Sequence, residues 1–203
     1  METTGKLKVK IIMGSTRQSR FSERPAQYIF EELSKVPEVE AELLDLRDYP
    51  MSFYDAAVSP SRGKGKYDDK LVQEWANKIA DGDAFVIVTP EYNHGYPAVL
   101  KNAIDVLFPE WGRKAVGFIS YGSAGGARAI EQLVQVAVEV RLVPIGKSIN
   151  VPIEVYLKAI AEPSKENSQA FAQLRQGMWG DNVQMFCTEL IWMGNALKAA
   201  RIK

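Results

Sequence analysis

The residues of this chain best suited to chemistry fall in three short stretches, and the first, residues 14–22 (GSTRQSRFS), has the composition of an anion cradle. Backbone N–H groups at a helix start have no intrahelical partner and sit at the positive end of the helix dipole, so main chain alone can bind a phosphate there. Ser15, Thr16, Ser19 and Ser22 add hydroxyl donors, and Arg17 or Arg20 adds charge with a two-pronged grip. Phe21 lies inside the same turn. The stretch lacks the Gly-Lys-Ser/Thr ending of a nucleoside triphosphate loop and the GxGxxG of a dinucleotide turn, so a single phosphate ester suits it better. Taken alone, it also reads as a capped helix entry with solvated arginines.

The second stretch, residues 90–98 (PEYNHGYPA), is too polar and too rich in Gly and Pro to be ordinary helix lead-in. A flat heteroaromatic ring needs a slot whose backbone groups meet its polar edge and whose aromatic side chains meet its faces. Tyr92, His94 and Tyr96 offer faces, and Asn93 and the loop backbone offer donors. Plainer roles stand beside these: Tyr96 as a core or subunit contact, His94 as a loop or interface residue, Glu91 as a solvent-facing carboxylate. The third stretch, residues 120–128 (SYGSAGGAR), lets backbone approach a ligand because Gly122, Gly125 and Gly126 lack side chains. A GxxGG before a helix also serves plain packing. One phosphate and one flat ring together suit FMN.

Lys plus Arg and Asp plus Glu number 25 each, so there is no global field to hold nucleic acid or an anionic membrane surface. Any phosphate must be gripped locally. A single cysteine, Cys187, forms no intrachain disulfide, and with the lone histidine, His94, it leaves too few soft ligands for zinc. Residues 1–10 lack the apolar core of a signal peptide, and no run approaches the roughly 18 apolar residues of a membrane span. A cytoplasmic protein is expected.

These stretches need elements to place them. Residues 7–13 (LKVKIIM), 39–46, 83–89 and 115–120 have the alternating or continuous apolar pattern of strands, with a fifth strand at 147–151. Helical spacing marks residues 22–33, where Ser22 and Pro25 resemble a capped entry, and 71–79, 127–140 and 182–200. Strand and helix alternate without an internal repeat, which predicts one α/β domain over residues 1–203, a flavodoxin-like three-layer sandwich with a parallel sheet of order 2-1-3-4-5. In such a sheet the ligand sits beyond the carboxyl ends of the strands where the order reverses, and that rule selects the three stretches above. Residues 49–70 are placed to act as a flap, and 59–66 (SPSRGKGK) also suits a plain loop. The closing helix, with Phe186, Leu190, Trp192 and the nearby Trp179, is apolar enough for core packing or a subunit interface.

Together GSTRxxR after the first strand, PEYNHGYPAVLKNAID after the third and EWGRKAVGFISYGSAGGARA through the fourth resemble the NADPH-dependent FMN reductase family over roughly residues 8–145. The resemblance implies noncovalent FMN, a dimer or tetramer, and ping-pong hydride transfer from NADPH or NADH through FMN to a small acceptor, whether flavin, quinone, azo compound or metal oxyanion. It puts Ser15, Arg17 and Ser22 on the phosphate turn, Pro90, Glu91, Tyr92 and Asn93 on the isoalloxazine loop, and Ser120, Tyr121 and Gly122 on the third loop. No side chain is required as acid or base. Arg17 and Arg20 suggest a division of labour, one on FMN and the other on the 2′-phosphate of NADPH. A flavodoxin-type electron carrier, or a redox sensor that binds FMN without turnover, is the rival class.

Overall fold

Strands covered by helices on both faces need no polar side, and this explains the two continuous apolar runs. Every residue of β3 (Ala84–Pro90) and β4 (Ala115–Tyr121) is buried. The computed structural model describes residues 5–164, 168–172 and 177–201. With β1 (Leu7–Met13), β2 (Val39–Asp45) and β5 (Val143–Asn150), the strands form one parallel sheet of order β2-β1-β3-β4-β5, the flavodoxin-like order the sequence predicts. Strand β5 starts four residues before the expected position. Pro144 and Gly146 break its pattern, and both are tolerated because β5 is an edge strand.

Helices α1 (Glu23–Ser34), α2 (Lys70–Asp81), α3 (Ala98–Asp105), α4 (Ala127–Glu139), α5 (Ile153–Ala161), α6 (Gln169–Ala172) and α7 (Gly177–Arg201) complete the chain. Asp69 caps α2 by accepting from the amides of Leu71 and Val72, at 2.8 and 3.2 Å. Ser22 stands at the N-cap of α1 but its side chain makes no capping bond, contrary to the expected capped entry. One sheet face carries Ile29, Leu33, Phe171, Phe186 and Leu190. The other carries Trp75, Phe85 and Trp111, whose indoles Trp75 and Trp111 donate to the carbonyls of Ala103 and Ile104. Helix α7 packs on β1, β3, β4 and β5, so its inner face is core, while Trp192 points outward at 67% exposure. The Trp179 side chain lies outside those described.

Below the site, Lys10 is buried between Glu42 and Asp81, and Lys8 also bonds Asp81. The hydrogen bonds from Lys10 and Lys8 hold the Asp81 carboxyl down at about 2. A carboxyl lowered in the folded state stabilises above its unfolded value near 4, and that contribution is lost as pH falls through about 2. Because Asp81 is 44% exposed, solvent screening limits the expected contribution to on the order of 1 kcal/mol. Urea midpoints of the wild type and Asp81→Asn should therefore differ at pH 6 and converge towards pH 2; a constant difference would show that the pair does not titrate with folding.

Candidate functional site

The turn after β1 is shaped first by a close approach. Gly14 donates to Val88 O at 2.8 Å, and a Cβ there would lie 2.9 Å from both Val88 O and Leu100 Cδ2. Ser15 is fully buried, with its hydroxyl 2.8 Å from Tyr92 Oη. Thr16 and Arg17 are exposed, and the Arg17 guanidinium lies 5.7 Å from the centroid of the Tyr92 ring. Phe21 is buried, its ring 4.9 Å from Tyr121 and 4.6 Å from Tyr156.

Arg20 corrects an expectation. Its guanidinium is buried and fully engaged: Nε donates to Glu23 at 3.0 Å, Nη1 to Ser15 O at 2.9 Å, and both terminal nitrogens to Asp45. A cation held this way is not free to meet a 2′-phosphate. Burial works to raise the Asp45 carboxyl, but the Arg20 hydrogen bond, the Arg47 amide and their charges outweigh it and keep it below its usual value. Among the described residues, Arg17 is the cation of the turn that faces outward with no carboxylate partner.

The second loop is a two-residue hairpin. Tyr92 and Gly95 exchange backbone bonds of 2.8 and 3.0 Å, and the central Asn93 and His94 have φ of 51° and 69°, the left-handed pair of a type I′ turn. Both central residues are exposed, and Gln132 donates to the His94 carbonyl at 2.9 Å. Glu91 is not solvent-facing: its side chain is 5% exposed and accepts from Arg128 N and Nη1 at the start of α4. Pro90 is buried at the end of β3, and Tyr96 is half-buried against the second core.

In the third loop, Ser120 donates to Gly125 O at 2.7 Å, and Asn150 Nδ2 donates to both Ser120 Oγ and Gly125 O. Asn150 was not among the expected residues, although the strand-end rule applied to β5 points to it. Gly125 and Gly126 have φ of 64° and 77°. Gly122 packs close to Glu91, where a Cβ would lie 3.1 Å from Glu91 Cβ.

Arg17, Arg20, Phe21, Tyr92 and Tyr121 come together around a pocket of about 360 Å³, joined by Tyr156 and Ile160 of α5. Ser15, Thr16, Ser22, Pro90, Glu91, Asn93, Ser120 and Gly122 do not line it. Arg24 ties α5 to this place, donating to Glu162 O at 2.7 Å and to Ser164 O. Among the described residues the buried hydroxyls of Ser22 and Tyr121 meet no partner in full hydrogen-bonding geometry, although Ser22 lies close enough to the phenol to favour its charged form slightly. Burial pushes the Tyr121 phenol well above its usual range, so it stays protonated and can donate. A phosphate fits these orphaned donors beside an outward-facing arginine. Elsewhere in the molecule, burial pushes the Cys187 thiol up to about 12, so this cysteine carries little thiolate near neutral pH.

Residues 49–69 contain no helix or strand. They are pinned to α3 by Asn102, which donates to Ser52 O at 2.9 Å and accepts from Tyr54 N at 2.8 Å.

A parallel sheet with its loops gathered around an anion-ready turn at the point of strand-order reversal defines a flavodoxin-like cofactor-binding protein. Residues 7–154 match the model of the NADPH-dependent FMN reductases, and the chain belongs to that family. It is similar to an NAD(P)H-dependent FMN reductase of Schizosaccharomyces pombe, with 34% identity over 181 residues covering 88% of this chain and 90% of the relative. An FMN-dependent NADPH-azoreductase of Staphylococcus aureus is 33% identical over 137 residues, 66% of this chain and 70% of that protein. Among solved structures, the flavoenzyme FerB of Paracoccus denitrificans, an NAD(P)H:(acceptor) oxidoreductase, superposes with a TM-score of 0.66 at 22% identity, covering 91% of this chain and 97% of its own. That likeness speaks for the fold.

Proposed function

We propose that this chain is an NAD(P)H-dependent, FMN-containing oxidoreductase that reduces a small-molecule acceptor such as a flavin, quinone, azo compound or metal oxyanion. The observation that carries the reading is the pair of buried hydroxyls of Ser22 and Tyr121, without a partner among the described residues, beside the exposed Arg17. Family membership supplies the same cofactor. When bound, FMN takes hydride from the nicotinamide and gives electrons to the acceptor.

The protein's part is positioning and electrostatics. Residues 14–22 hold the phosphate through amides, the Ser15 and Ser22 hydroxyls and Arg17. The Tyr92–Gly95 hairpin, with its backbone and Asn93, would hold the ring. Residues 120–126, held by Ser120 and Asn150, would offer glycine backbone to the ring, and their N–H groups would stabilise negative charge on it. The engaged Arg20 leaves nicotinamide choice to residues outside the turn. The protein acts as a cytoplasmic homo-oligomer without nucleic acid or membrane partners.

Mixing the FMN-loaded protein with NADPH, and separately with NADH, in the absence of oxygen tests this reading. Bleaching of the oxidised flavin band within seconds, reversed by added quinone, is the expected result. A flavin that stays oxidised would instead identify a carrier or sensor.

A further inference from the structure

The carbonyls of the phosphate turn are held from behind by two guanidiniums. Arg20 Nη1 takes Ser15 O at 2.9 Å. Arg47, just beyond the end of β2, takes the next three: Nε donates to Thr16 O at 3.4 Å, and Nη2 to Arg17 O and to Gln18 O, the latter at 3.1 Å. Its Nη1 meets Glu23 Oε1 at 3.3 Å, the oxygen that also receives Arg20 Nε. Asp45 anchors the pair by bonding Arg20 and accepting from Arg47 N at 2.9 Å.

A trans peptide sets each carbonyl antiparallel to the following N–H, and the described residues contain no cis bond. Carbonyls of residues 15–18 fixed toward the two guanidiniums therefore turn the amides of residues 16–19 toward the opposite side. Among the described residues, the Thr16, Gln18 and Ser19 amides have no acceptor, and Arg17 N reaches only Ser15 Oγ, at 3.5 Å.

We infer that Arg47 is a positioning residue for the flavin phosphate: it grips the outer carbonyls of the turn so that its amides face the phosphate before it arrives. This rests on the FMN reading and extends it to a residue that does not itself touch the cofactor. A free turn would lose backbone entropy on binding, and the clamp meets that cost during folding. Its charge is partly offset by Glu23, so its effect comes through geometry more than through a long-range field.

The test compares FMN with riboflavin, which lacks the phosphate, by quenching of flavin fluorescence on flavin-free full-length protein. Wild type should bind FMN much more tightly than riboflavin; equal affinities would sink the phosphate-turn reading itself, independently of Arg47. Arg47→Ala is expected to weaken FMN about 10- to 100-fold, the loss of one or two charged hydrogen bonds, and riboflavin less than about threefold. Arg47→Lys should rescue little, because one ammonium cannot span three carbonyls. Equal losses for both flavins would make Arg47 a general structural residue, and full rescue by lysine would make it a simple charge; either overturns the inference. Should Arg47→Ala fold poorly by thermal melting, Arg47→Gln is read the same way, with an intermediate loss specific to FMN expected.

Discussion

Gly126→Ala is expected to destabilise the protein by about 2–4 kcal/mol and to weaken FMN binding at least about tenfold. Two independent effects add. The residue sits at φ 77°, a conformation that costs an L-residue roughly 1–2 kcal/mol. A Cβ would also stand 2.6 Å from Ser120 Cβ and 2.8 Å from both Ser120 Oγ and Tyr121 N, and the Tyr121 backbone cannot yield as the tip of a flexible side chain can. Relief means moving Ser120, and with it the bonds that join Ser120, Gly125 and Asn150. The thermal midpoint should fall by roughly 5–15 °C for a chain of this size. Gly146→Ala is the control: its nearest contact would be Glu189 Oε2 at an ordinary 3.7 Å, so stability should change little. Equal midpoints for Gly126→Ala and the wild type would mean that the loop relaxes freely and that its glycines are not there for shape.

The second large effect lies in the core under α7. Phe186→Ala should cost about 3–5 kcal/mol, because the ring is fully buried where α7 meets the sheet. The site cannot close around the gap easily. Gly117 on β4 already presents bare backbone to this ring, and a Cβ there would lie 2.5 Å from Phe186 Cζ. The ring and the glycine are therefore one fitted pair. Trp192, 67% exposed on the outer side of the same helix, should change stability by less than about 0.5 kcal/mol when replaced by Ala. Denaturant unfolding of both variants separates the two faces. Similar losses at 186 and 192 would contradict the assignment of the inner face to core.

The three loops were legible before any coordinates because they depend on local pattern. Apolar runs set the strands, and strand ends in a parallel sheet converge at one edge whatever the side chains do there. The Tyr92–Gly95 hairpin was less legible, since His94 occupies a left-handed position that usually signals Gly or Asn. Glu91 misled for a different reason. A carboxylate in a polar loop reads as solvated, and only α4 supplies the amide and guanidinium of Arg128, 37 residues further on, that bury it.

The turn at Gly14 shows where the division falls. Its glycine, hydroxyls and arginines, and its place between a strand and a helix, suggest an anion site and, with the two other loops, were enough to mark the flavodoxin-like order and the FMN family. Which arginine does what was decided by tertiary structure. Arg17 and Arg20 are chemically identical and three residues apart, but Asp45 and Glu23 close on one and leave the other outward. Arg47, Asn150 and Tyr156 likewise reach the site only because β2, β5 and α5 end beside it. Sequence spacing fixes which face or end of an element a residue occupies; the identity of its partner across the gap is set by how separate elements pack, and no local pattern encodes that.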